Sequence, residues 1–201
     1  IAKDEWAETL WADLNVQLLQ EGIDGFLKAF RKLPKDVRSL SVGFYLESQM
    51  KEFKESIPLL LDLKNDALRE RHWRTLMQRT DTEFEMRAET FTLANMFAMQ
   101  LHKYIEVIGD IVTAAIKELG IEKGVKEVVD TWETMKFTVQ KYYKGTQDRG
   151  YILGSVDDIL QILDDNAMNL QSMAGSRFVG PFLSTVQEWE RNLSLIGEVI
   201  A

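Results

Sequence analysis

Of the side chains able to bind a metal or move a proton, the two histidines, His72 and His102, are the scarcest. A carboxylate-bridged dimetal bundle carries Glu-x-x-His on its helices, because that spacing aims both ligands inward. The residues three before these histidines are Arg69 and Met99, so the pattern fails twice. His102, Glu106 and Asp110 recur every four residues and could share one helix face. The apolar residues between them make the solvated flank of an amphipathic helix the simpler reading. Asp157-Asp158 and Asp164-Asp165 are candidate acid/base pairs by type. The first falls where a helix should begin and complements its dipole, and the second fits an exposed helix surface.

Nucleotide and acyl chemistry find no motif. Gly120-Ile121-Glu122-Lys123-Gly124 lacks both the spacing and the hydroxyl of a phosphate loop, and Gly154-Ser155-Val156 and Gly175-Ser176-Arg177 complete no nucleophile elbow. Zero cysteines exclude disulfides, thiolate metal sites and thiol nucleophiles, which fits a reducing compartment. The densest basic run is Arg69-Glu70-Arg71-His72-Trp73-Arg74. Arg69, Arg71 and Arg74 form a candidate contact surface, for an anion or RNA stacked on Trp73. In the alternative, Trp73 packs with Leu76 and the arginines bridge to neighbouring helices. A net charge of −8 opposes general binding to nucleic acid or anionic membrane. Trp6, Trp11, Trp73, Trp132 and Trp189 all fall on or beside expected core faces, as packing anchors.

The elements that would position these residues are mainly helical. With 201 residues, 45% hydrophobic and 28% charged, the chain has the composition of a globular protein able to bury a sizeable core. No stretch is apolar for long enough to span a membrane, and the acidic N-terminus is unlike a signal peptide. Ala7, Leu10, Trp11, Leu14 and Leu18 follow one helical stripe that should weaken at Gly22 and Gly25. Leu46, Met50, Phe53, Ile57 and Leu60 follow a second, with a kink or break expected at Pro58. Asn65 or Asp66 should cap a helix running to about Gln78, and residues 79–98 support only short helical turns.

A stripe from Leu101 to Leu119 should stop at Gly120, and Ile121 to Met135 should form a neighbouring helix. Alternation from Lys136 to Leu153 around Gly145 and Gly150 reads as a β-hairpin. Ser155 and Asp158 resemble a capping box for a helix ending near Gly175, and a last helix should start near Pro181. The apolar pattern still open at Val199-Ile200-Ala201 reads as a piece of a longer protein. The subdivision expected is 1–98 and 99–201.

These residues resemble a known family. Ile57-Pro58-Leu59-Leu60, Leu68-Arg69-Glu70-Arg71-His72-Trp73, Ala115-Ile116-Lys117-Glu118 and Trp132 before the hairpin are similar, in that order, to the linker region of dynein heavy chains. Val156-Asp157-Asp158-Ile159, Leu163-Asp164-Asp165 and Ser176-Arg177-Phe178-Val179-Gly180-Pro181-Phe182 extend the resemblance over most of 57–200, and the last is more similar to axonemal than to cytoplasmic chains.

The resemblance implies an elongated stack of helical bundles acting as a lever. Such a linker lies across a ring of AAA+ modules in the same heavy chain and relays its ATP-driven motion to a minus-end-directed microtubule motor. ATP and Mg would belong to that ring, with no cofactor, metal or catalysis in this segment. The expected partners are the ring, other dynein subunits and the microtubule, with no nucleic acid or membrane, in the cytoskeleton and the axoneme of a cilium. On that reading Gly22, Gly25, Pro58 or the 79–98 stretch is a candidate hinge, and the hairpin or the Arg69–Arg74 cluster could meet the ring. A non-motor helical interaction scaffold is the alternative, and an enzyme using helix-borne carboxylates comes third.

Overall fold

A computed structural model describes residues 2–83, 85 and 89–200. The chain divides into two compact units, 1–115 and 116–201, so the boundary falls inside a helix and not at 98/99. The first unit holds α1 (Ala2–Glu8), α2 (Val16–Arg31), α3 (Lys35–Arg38), α4 (Ser41–Leu63), α5 (Glu70–Thr80), α6 (Leu93–Ala98), a 3₁₀ turn (Leu101–Tyr104) and the start of α7 (Ile105–Thr134). The second holds the rest of α7, β1 (Val139–Lys144), β2 (Gln147–Leu153), α8 (Asp157–Ala174), a 3₁₀ turn (Gly180–Phe182) and α9 (Leu183–Ile200). The mainly helical class with one hairpin is as the sequence implied.

In the first unit the stripe from Ala7 to Leu18 is not one helix. Asn15 Oδ1 accepts the N–H groups of Gln17 at 3.0 Å and Leu18 at 3.2 Å, which restarts the helix and shifts its register. Leu19, Ile23, Leu27 and Phe30 are therefore buried, while Leu18 is 61% exposed. The irregular segment between α1 and α2 is held by backbone bonds from Trp11 N–H to the Phe91 carbonyl at 2.7 Å and from Leu93 N–H to that of Thr9 at 3.0 Å. Leu46, expected in the core, is exposed, whereas Met50, Ile57, Leu59, Leu60 and Leu63 carry the α4 face. Asn65 caps no helix. Its Oδ1 accepts Ala67 N–H at 2.9 Å and orders a turn ahead of α5. Residues 84 and 86–88 of the stretch expected to form short turns lie outside the described residues; α6 is the short helix found within it.

Gly120 does not stop a helix. The two helices expected on either side of it are one, α7, because Gly120 keeps helical backbone and does not take the left-handed conformation that ends a helix. Ile121, Val125 and Val128 of α7 pack with Leu170 of α8 and Val186 and Leu193 of α9 in the second core. Trp132 and Trp189 lie half-buried against it. The proposed Ser155 capping box is also absent: Val156 is the N-cap, and Ser155 Oγ donates to Asp157 Oδ2 at 3.0 Å instead of accepting a backbone N–H. Asp157 and Asp158 do occupy the first turn of α8, beside the positive end of its dipole.

The hairpin forms where alternation placed it. Val139 pairs with Leu153, Gln140 with Ile152, Lys141 with Tyr151, Tyr143 with Asp148 and Lys144 with Gln147. Gly145, at φ +66°, opens the two-residue loop, and Gly150, at φ +91°, sits in the register shift between Lys141 and Tyr143. Both conformations are ones that glycine adopts without steric cost.

Candidate contact surface and hinge positions

The basic cluster is set by the start of α5. Arg69 takes extended backbone as N-cap, and its N–H donates to Nδ1 of His72 at 2.9 Å. Nδ1 is then an acceptor, so His72 is a buried helix-capping residue. The Arg69 guanidinium turns back onto the Asp66 carbonyl at 2.6 Å. Arg74 pairs with Glu70 one turn earlier, at 2.5 Å. Trp73 is half-buried, edge-on to Trp11 with centroids 6.5 Å apart, and Leu76 is fully buried. The packing reading of Trp73 and Leu76 thus describes this cluster, and of the three arginines Arg71 and Arg74 are exposed.

Sequence reasoning passed over the lysine that ties this region together. Lys64, just past α4, donates to the carbonyls of Ala12 at 3.1 Å and Leu14 at 3.0 Å, with its ammonium 5.4 Å from the Trp11 ring centroid. A cation over an aromatic face and two carbonyls fix the chain between α1 and α2. Only its place after an apolar helix end hinted at this, since a lysine there serves unpaired carbonyls.

The candidate hinge residues lie in unbroken helices. Both Gly22 and Gly25 lie within α2, and Pro58 lies within α4, which continues to Leu63. Neither helix is interrupted at these positions, for identifiable reasons. Gly22 provides room: a Cβ there would stand 2.5 Å from the Trp6 ring, which stacks on Phe53 with centroids 5.7 Å apart. Gly25 meets nothing within 4 Å. Pro58 is exposed, flanked by buried Ile57 and Leu59, so packing on the opposite face holds the helix across the missing donor. Asp24 joins these two helices by accepting from Lys54 Nζ at 2.6 Å. That hydrogen bond, with a second from Gln20, lowers its carboxyl pKa.

The remaining candidates do not converge. His102 lies in the 3₁₀ turn ahead of α7, so His102, Glu106 and Asp110 do not share one helix, and Asp110 pairs with Arg79 at 3.4 Å. Among the described residues no group of three or more His, Asp or Glu could hold a metal ion, and no helix is long and apolar enough to cross a membrane. Residues 120–124 lie inside α7, where their N–H groups serve the helix ladder. They do not fit a nucleotide phosphate.

The fold and these surfaces define a helical-bundle segment with a solvent-exposed hairpin. The model of the family described as dynein heavy chain, N-terminal region 2, matches residues 2–201, and the chain belongs to that family. It is 70% identical over 200 residues to dynein axonemal heavy chain 10 of Homo sapiens, covering 100% of this chain and 4% of that one. It is 48% identical over 196 residues to the dynein-1-alpha heavy chain of the flagellar inner arm I1 complex of Chlamydomonas reinhardtii, covering 98% and 4%. The chain therefore spans about 4% of the length of the curated relatives it matches.

Proposed function

We propose that this segment is part of the mechanical linker of an axonemal dynein heavy chain. It transmits the ATP-driven motion of an AAA+ ring, built from other parts of the same polypeptide, into minus-end-directed movement on microtubules. ATP and Mg act in that ring, and the segment itself is non-catalytic. The observation that carries the reading is the match of residues 2–201 to a dynein heavy chain family together with close similarity to axonemal and flagellar chains. Helix-on-helix packing with interlocked rings supports it, because close-packed helices resist bending better than loops.

Within this reading, Gly25 and Pro58 are compliant points, each lacking a side-chain or backbone contact that stiffens its helix. Arg71 and Arg74 belong to a face that meets the ring. The test is a full-length heavy chain with fluorophores on α8 and on the ring. The distance should change with nucleotide, and breaking α2 with Leu27→Pro should slow microtubule gliding more than ATP hydrolysis. Gliding unchanged by that break would overturn the lever role. Gly25→Ala with Pro58→Ala should reduce bending amplitude, and Arg71→Glu with Arg74→Glu should weaken ATP-dependent coupling. Unchanged values in either pair would remove those residues from the mechanism.

A further inference from the structure

The β1–β2 hairpin carries exposed apolar side chains, and of its basic ones only Lys141 is ion-paired among the described residues. Cross-strand partners share a face. The register therefore puts Val139, Tyr143, Tyr151 and Leu153 on one side, with exposures of 62, 52, 65 and 44%, around the Lys141–Asp148 pair that shares it. Three of the chain's five tyrosines are on these two strands. A two-stranded sheet with no face covered is at best marginal in water, and both its outer edges present unpaired backbone groups.

Charge narrows what could cover it. From Lys136 to Leu153 there are four basic residues, Lys136, Lys141, Lys144 and Arg149, against Asp148 alone, a local excess of three positive charges in a chain of net −8. Asp148 is spent on Lys141, at 3.5 Å, and Lys136, Lys144 and Arg149 make no ion pair among the described residues. The described residues offer no third strand, since the one β contact beyond the hairpin is an isolated bridge between Leu10 and Thr92. Edge-to-edge pairing with a second copy would bring lysines against lysines. We propose that the hairpin is a docking site for an extended acidic segment of a partner polypeptide, which adds as a third strand and sets carboxylates among Lys136, Lys144 and Arg149 and apolar side chains on the tyrosine face. This does not depend on the lever role.

The test titrates the 201-residue chain with a fluorescent peptide of alternating Glu and Val, about ten residues long, the reach of a short strand. Beside it run the Lys/Val peptide, a Glu/Val peptide N-methylated at alternate residues, a uridine oligonucleotide and phosphatidylserine vesicles. The Glu/Val peptide should bind saturably and slow amide exchange in β1 or β2. Lys144→Glu with Arg149→Glu should weaken it about tenfold, and N-methylation should abolish it by blocking the ladder. Equal binding of the Lys/Val or N-methylated peptide would overturn the proposal, as would tighter binding of the oligonucleotide or vesicles. Concentration-dependent dimerisation lost in the double variant would give the face to a second copy, with the same consequence. Should that variant fail to fold, the peptide comparisons on the unaltered chain still decide.

Discussion

At the scale of single residues, two glycines three positions apart in α2 answer to opposite forces. A Cβ at Gly22 would overlap the Trp6 indole, a rigid ring already engaged with Phe26 and Phe53, whereas one at Gly25 enters open space. Gly22→Ala should therefore destabilise the first unit by about 1–3 kcal/mol, the usual cost of overpacking. Gly25→Ala should stabilise it by about 0.5–1 kcal/mol through a less flexible unfolded chain. Urea unfolding of both variants checks the pair, and a shift of the same sign in both would contradict the assignment. Asp24 supplies the titration. Its folded pKa lies below the unfolded value, so its contribution to stability is present above the unfolded pKa and is lost as pH falls through the folded one. Lys54→Met should raise the Asp24 pKa in a carbon-detected NMR titration, leaving stability nearly unchanged because the pair is exposed.

At the scale of elements, breaker residues gave the least reliable reading, and α4 and α7 show why. A proline or glycine states a local preference of about 1–3 kcal/mol, and a helix with a continuous buried face outweighs it. Pro58 sits opposite that face, and α7 passes through Gly120 between buried Ala115 and Ile121. Gly120 is exposed with nothing within 4 Å of its Cβ position, so Gly120→Ala should raise thermal stability, by about 1 kcal/mol. Calorimetry showing a loss would mean that this position is not held as regular helix. The hairpin was legible for the opposite reason. Its alternation and its two glycines act over neighbouring residues, which a linear reading sees whole. The Lys64 clamp and the Leu10–Thr92 bridge join residues about 50 and 80 positions apart, and no local pattern announces them.

For the whole molecule, fold class and family were legible because both are spread over many positions: periodic apolar residues for the class, an ordered series of short motifs for the family. The exposure of the hairpin face was not, since an exposed Tyr143 and a buried one look alike in a strand pattern. Each unit encloses its own core, with Ile57 and Leu60 at the centre of the first and Leu170 and Leu193 in the second, all at most 2% exposed. Truncating a side chain so enclosed removes its transfer free energy and leaves a cavity, together about 2–5 kcal/mol. If each core stabilises its own helices, Leu193→Ala should speed amide exchange throughout α8 and α9 while leaving α2 and α4 protected, and Ile57→Ala should do the reverse. Hydrogen exchange read by mass spectrometry distinguishes the two patterns. Equal loss of protection in all four helices in both variants would make the chain one cooperative unit.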